Sequence, residues 1–358
     1  MVFYWFIFLL IAFIALKLKD KKGAFYSIVT ILMIMGIIRA RTVGNDLNGG
    51  YWEEYTHMGE NPEQWGLYMR QFETGFLWLM AKFKFNISKD PLVFFHLLFF
   101  ATFFNYSLFF YKQSKFKSLA LVFMFAFAYY FQLYNGMRQE FCYSIILVAL
   151  SYLVLDNQKY IYFSTVVIVV SFLFHKSMFV MLVFPFLYKF YSHIPHKMMT
   201  ITLIASSVGS MMLAKYALAQ MNYLSVFVDD GSSNFSNYMQ YSDSLGNYSQ
   251  LSNILNTLFC IYVVYTCRYK HDFFLTCYVF GVILLNILTP INWIFQRIAF
   301  PFMFFRVIVY SDLWYNIPDK KEKIIFRLAV VLLSVVMFQN RLNADGFKDV
   351  VPYISCLF

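Results

Sequence analysis

Residues 91–111 read PLVFFHLLFFATFFNYSLFFY, a run without a single Lys, Arg, Asp or Glu. A run of that length and character matches a helix crossing about 30 Å of hydrocarbon, and it is too long for a buried strand. Similar strings recur along the chain. Of its 358 residues 60% are hydrophobic, 22% aromatic and 13% charged, with a mean hydropathy of +0.58. A soluble domain carries roughly a quarter of its residues as charges, so the sequence reads as an integral membrane protein. The apolar runs are continuous rather than short and alternating, which points to helices and away from a β-barrel.

Outward from 91–111, the pattern predicts an all-α, polytopic membrane helix bundle of about twelve transmembrane helices. They are expected at 2–16, 24–38, 91–111, 116–134, 138–155, 160–174, 177–190, 199–219, 251–267, 272–289, 296–314 and 324–339. One apolar segment, 76–85, is left over; it contains Lys82 and Lys84 and is expected to be a re-entrant or interfacial helix. The whole chain, 1–358, is expected to form a single polytopic membrane domain with large outer loops at 39–90 and 220–250. Val2 to Leu16 has no basic region before it, ends in lysines and lacks a small-residue cleavage site, so it reads as a retained span rather than a signal peptide.

Basic residues then fall in alternate connections: Lys17 to Lys22, Lys112 to Lys117, Lys159, Lys189 with Lys197, Arg268 with Lys270, and Lys320 to Lys323. By the positive-inside rule that side is the cytoplasm, which places both termini and thirteen of the nineteen acidic residues outside. The net charge of +10 is thereby explained by topology, and no basic stripe remains for a nucleic acid. The five cysteines form neither a disulfide framework nor a CxxC metal pair. GxSxG, HExxH, P-loop and dinucleotide fingerprints are absent.

Chemistry is concentrated on the outer side. The loop from residue 39 reads RARTVGNDLNGGYWEEYTHMGENPEQWGLYMRQFETGF, and it sets Tyr51, Trp52 and Tyr55 beside Glu53, Glu54 and Glu73. Rings stack on the C–H faces of sugars while carboxylates bind their hydroxyls; an interfacial aromatic belt is the alternative. Three further groups stand at outer helix starts: Asn135 to Gln139, His175 to Ser177, and Asn292 to Arg297. Free N–H groups, the helix dipole and a flanking Arg138, His175 or Arg297 suit a phosphate. Snorkelling anchors are the bland alternative. Asp46, two residues after Gly44 in a polar turn, is placed first as general base, ahead of His175 and Glu73.

Arg41 with Gly44-Asn45-Asp46, Phe72-Glu73-Thr74-Gly75-Phe76, Asn135-Gly136-Met137-Arg138-Gln139, His175-Lys176-Ser177 and a terminal Val351-Pro352-Tyr353 follow one another in the chain. In this ordered set the sequence resembles the EpsG family of bacterial membrane proteins, a branch of the Wzy-type polysaccharide polymerases. The resemblance implies a multi-pass protein of the bacterial cytoplasmic membrane, with its site facing outward. It would join polyprenyl-diphosphate-linked oligosaccharide repeats into capsule, exopolysaccharide or O-antigen chains, with no cofactor and no metal. Arg41, Arg138, Gln139, Ser177 and Arg297 would hold the diphosphate, and Tyr51, Trp52 and Tyr55 the glycan. Membrane lipid, a flippase and a chain-length regulator are the implied partners, and no nucleic acid. Two other readings stay open from the residues: a transporter or flippase of lipid-linked glycans, and a membrane acyltransferase using His175.

Overall fold

The computed structural model describes residues 1–18, 21–44, 46–65, 72–155, 159–210, 250–268, 271–289, 296–343 and 350–357. The expected outer loop at 220–250, apart from its last residue, lies outside them, as do 292–295. Among the described residues the regular structure is helical, apart from one antiparallel bridge between Arg39 and Ser355. The helices used below are α1 (Val2–Leu18), α2 (Lys22–Ile37), α3 (Trp52–His57), α4 (Thr74–Asn86), α5 (Pro91–Gln113), α6 (Lys117–Ala126), α7 (Tyr129–Asn135), α8 (Met137–Leu155) and α9 (Tyr160–Phe174).

A helical membrane protein is what these residues form, and each expected span is helical where it is described, with breaks. Full crossing length is reached by Pro91–Gln113, Met137–Leu155 and Gln296–Asn316, and by α6 and α7 together if that pair, bent by 59°, is one broken span. Val2–Leu18, Lys22–Ile37, Tyr160–Phe174, Ser252–Thr266 and Phe273–Leu288 are shorter apolar helices. At 1.5 Å per residue these rise roughly 22 to 26 Å, less than the hydrocarbon thickness. Residues 177–190, expected as one span, instead form a tight 3₁₀ stretch over Lys176–Val183 followed by the short helix Phe184–Phe190.

The chain divides into two compact units, Met1–Pro185 with Val307–Phe358, and Phe186–Arg306. In the second unit, Asn286 of helix Phe273–Leu288 donates to Ser206 Oγ and Thr257 Oγ1, each at 3.0 Å. A buried amide satisfied by two neighbouring helices holds them together where the hydrophobic effect between helices is absent.

In the first unit α5 is the central element, burying Phe94, Phe95, Leu98, Phe99 and Phe103 on one side. Gly36 of α2 lies directly under Phe99, where any Cβ would overlap the ring, so α2 and α5 approach closely. Polar contacts join α5 to α8: Asn105 donates to Ser144 Oγ at 3.2 Å, Gln113 to the Ser151 carbonyl at 3.1 Å, and the Tyr106 hydroxyl to Glu140.

One end of this unit gathers the start of α1, the end of α2, the start of α5 and the C-terminal residues. Tyr4 donates to the Val350 carbonyl at 2.7 Å, Tyr353 to Met35 at 2.8 Å, and His96 Nε2 lies 3.1 Å from the Arg39 carbonyl. Arg39 and His96 flank the 39–90 segment, so that segment leaves and rejoins the bundle at the same end. Its helix α4 has 13 residues and rises about 20 Å, less than the hydrocarbon thickness. That length accords with the re-entrant or interfacial helix expected at 76–85.

The bend between α6 and α7 centres on Ala128, a non-glycine residue at φ 62°. A left-handed alanine is strained by about 1–3 kcal/mol and persists only when its surroundings impose it. Here the bend lets Tyr130 donate to the Leu32 carbonyl of α2 at 2.7 Å and Tyr134 bond the Tyr130 hydroxyl at 2.8 Å. Ala128→Val should lower the unfolding temperature of the detergent-solubilised protein while Ala128→Gly holds or raises it, because a β-branched residue tolerates positive φ least. Equal unfolding temperatures for the two would show that the bend carries no strain.

Candidate functional site

Arg39 follows the end of α2 and is fully buried. Its guanidinium carbon lies 4.1 Å from the centroid of the Tyr134 ring and 5.7 Å from that of Phe99, and its Nη atoms donate to the Val43 carbonyl and the Met137 sulfur at 3.4 and 3.3 Å. The chain on either side of it is tied to the C-terminal segment: Ala40 N–H donates to Ile354 O and Cys356 N–H to Ile38 O, both at 2.8 Å. The terminal Val351-Pro352-Tyr353 motif therefore serves to hold the entry of the 39–90 segment. Gly44 follows at φ 106°, where a Cβ would strike Tyr134, so only glycine fits this turn against α7.

That turn delivers Asp46 to the start of α8, where its Oδ2 accepts the Met137 N–H at 2.9 Å. A carboxylate at this place satisfies an otherwise open amide and complements the helix dipole. The expected base is thus engaged as a cap on the helix that carries Arg138.

Glu73 stands between three elements. Its Oε2 pairs with Arg138 Nη1 of α8 at 2.5 Å, its Oε1 accepts the Lys176 N–H at 2.9 Å, and His175 Nδ1 lies 3.7 Å from the same Oε1. The ion pair is largely enclosed, with side-chain exposures of 13% for Arg138 and 10% for Glu73. Gly75 makes the arrangement possible: a Cβ there would lie 2.6 Å from the Leu173 carbonyl, so only glycine lets α4 start against the end of α9. The structure brings Asp46, Glu73, Arg138 and His175 together at one end of the first unit.

Aromatic rings line the cluster. Arg138 lies over Phe72 at 4.3 Å, and Phe72 in turn stacks on Tyr51 with centroids 5.0 Å apart. Trp52 is half-buried and lies under Arg41 at 4.3 Å, while Arg41 pairs at 3.3 Å with the exposed Glu53. Tyr55 departs from its expected role. Fully buried, it donates to Ser88 O at 2.6 Å and stacks on Phe94, so it offers no face to a glycan and pins α3 onto α5 instead.

Of the remaining expected residues, Gln139 is half-buried in the first turn of α8 and Ser177 is exposed in the 3₁₀ stretch. Arg297 is an exposed residue in the first turn of Gln296–Met303, within the second unit. Sequence reasoning gave Phe72 no site role and named Glu54 only among the carboxylates beside the rings of this loop. Glu54 faces the interior from α3, its Oε2 is buried without a hydrogen-bond partner, and burial pushes its carboxyl up to about 7 against the pull of Arg138. Only its spacing, three residues or about one helical turn after Tyr51, hinted at this. Among the described residues no group of His, Cys, Asp and Glu is set to hold a metal ion.

Chemically, the cluster is one oriented guanidinium at a helix start, a carboxylate that fixes it, an imidazole beside that carboxylate, and ring faces around them. A planar donor fork in such a place recognises phosphate oxygens. Because Glu73 and Arg138 are nearly enclosed, removing one leaves the other uncompensated. Glu73→Ala should destabilise by about 3–5 kcal/mol, and a double-mutant cycle with Arg138→Ala should show coupling of about 1–3 kcal/mol in denaturant unfolding. Additive effects would mean that the pair is incidental. Arg138→Lys should fold normally yet lose the fork.

The model of the EpsG family matches residues 23–355, from the first turns of α2 to the bridge partner of Arg39. No curated protein and no solved structure matches the chain. With nearly its whole length matched, and with all five of its family-like motifs gathered at one end of a single unit, the chain belongs to the EpsG family, a family of polysaccharide polymerase-like membrane proteins.

Proposed function

We propose that this protein is a glycosyltransferase that joins polyprenyl-diphosphate-linked oligosaccharide repeats into longer chains at the outer face of the bacterial cytoplasmic membrane. The observation that carries the reading is the Glu73–Arg138–His175 cluster at a helix start, framed by Phe72 and, stacked on it, Tyr51. A diphosphate leaving group arrives with its charge already present, so an oriented arginine and open helix N–H groups can stabilise its departure. The rings beside them offer apolar faces to the sugars on either side of the reacting bond. Apolar helix surfaces around the unit suit the polyprenyl tail, as at Phe100 and Phe104 of α5, both exposed.

Lysines support the proposed sidedness. Lys17, Lys22, Lys112 and Lys117 lie at the helix ends opposite the cluster, and the positive-inside rule assigns that end to the cytoplasm. Single cysteines at Gly136 or Lys176, in a background without native cysteines, should react with an impermeant thiol reagent added from outside. Labelling only after the membrane is opened would reverse the orientation.

Purified protein given its lipid-linked repeat should produce a ladder of longer lipid-linked glycans, and Arg138→Lys should slow it by about 2–4 kcal/mol of transition-state stabilisation, the scale of one preorganised charge-assisted contact. Movement of the repeat across a vesicle membrane without any ladder would make the protein a transporter.

A further inference from the structure

Among the three carboxylates around Arg138, two already hold donors. Asp46 accepts the Met137 N–H, and Glu73 accepts Arg138 and the Lys176 N–H. The third, Glu54, presents a buried Oε2 with no hydrogen-bond partner, on the same segment as Tyr51 and Trp52. A buried acceptor left unmatched is costly and calls for an explanation. Arg138 supplies a counterpart, since its Nε–H is likewise buried and unmatched. An unfilled donor and an unfilled acceptor thus flank one guanidinium, within an aromatic frame that suits a sugar.

We infer that Glu54 is the group that takes the proton from the acceptor sugar hydroxyl. The inference rests on the polymerase reading above. In the step, the acceptor oxygen forms a bond to the anomeric carbon of the donor glycan. The bond from that carbon to the diphosphate oxygen breaks, and its electron pair leaves with the polyprenyl diphosphate. The hydroxyl proton passes to Glu54 Oε2 and then to water. No further reactant is needed.

Of the charged and titratable groups nearby, Arg138 of α8 acts on Glu54, and Glu54 in turn acts on Tyr51, which also feels Asp46 and Arg138; Lys84 of α4 donates to the Thr56 and Met58 carbonyls further along the segment. Glu73 and His175 reach it through Arg138. Burial dominates over Arg138, so the carboxyl titrates at about 7, a value at which a base is both populated and strong enough to act at neutral pH.

The test is elongation by the full-length protein in lipid nanodiscs across pH, with wild type, Glu54→Gln and Glu54→Asp. Wild-type turnover should rise with pH through a midpoint near 7. Glu54→Gln should lose that limb and at least about 100-fold in rate, while donor binding changes less than about threefold and the unfolding temperature holds; Glu54→Asp should recover part of the rate. A carbon-13 carboxyl resonance absent from Glu54→Gln should titrate near neutrality without substrate. If wild type elongates and Glu54→Gln matches it, or keeps the same limb, the role belongs to another residue. If wild type makes no ladder at all, the polymerase reading fails and takes this role with it.

Discussion

A single buried cation organises the site. Arg39 is fully enclosed, and taking such a charge out of water costs several kcal/mol unless its surroundings restore the lost interactions. Those surroundings come from separate parts of the chain: the Tyr134 ring of α7, the Phe99 ring of α5, the Val43 carbonyl of the following turn and the Met137 sulfur of α8. None of these can move away without leaving the guanidinium exposed to a worse environment. The turn is therefore fixed against α7 and α8, and Asp46 falls on the Met137 N–H as a consequence.

The same physics recurs one element further on. An α-helix begins with four amides that lack intrahelical partners, and near a membrane surface such groups need acceptors. Asp46 answers this need at the start of α8 and Glu73 at the start of the 3₁₀ stretch after α9. Helix starts that suit a phosphate are thus already partly occupied by the protein's own carboxylates. On the proposed function, what remains for a phosphate is the part of the Arg138 fork that Glu73 leaves unoccupied. Glu73 sets the direction of that fork and the Phe72 ring blocks one face of it, which restricts the approach of an anion to the open side.

Much of the fold was legible because apolar runs and lysine-bearing connections record the membrane directly. The helical segments came from that record. Less visible were the breaks. Residues 127 and 128 are Phe and Ala, with no Gly or Pro to mark a bend, and the left-handed Ala128 is imposed by the packing of Tyr130 and Tyr134 on α2 rather than by local preference. Likewise Lys176–Val183 carries an ordinary apolar pattern yet winds tightly, so an expected full span is not one continuous α-helix. Motif residues converged as their order implied, whereas roles within the aromatic loop did not follow from type. Tyr51 and Tyr55 look equivalent in the string YWEEY, but α3 turns the second into the core and leaves the first on the site.

That rotation also separates the two adjacent glutamates of YWEEY. Glu53 is exposed and pairs with Arg41 at the surface, an interaction worth little against solvent and salt. Glu54, one residue on and about 100° round the helix, is carried inward beside Arg138. Sequence position ranks Asp46 first among the carboxylates because it stands in a glycine-bearing polar turn. Ranking them instead by the donors each already holds puts Glu54 first: Asp46 is committed to a helix amide, and Glu73 to Arg138 and the Lys176 N–H. A half-buried carboxyl with an unmatched oxygen is raised in basicity by the same burial that keeps it in the site. The partners supplied by the fold, rather than the residue type, divide the three carboxylates between holding the site together and acting in it.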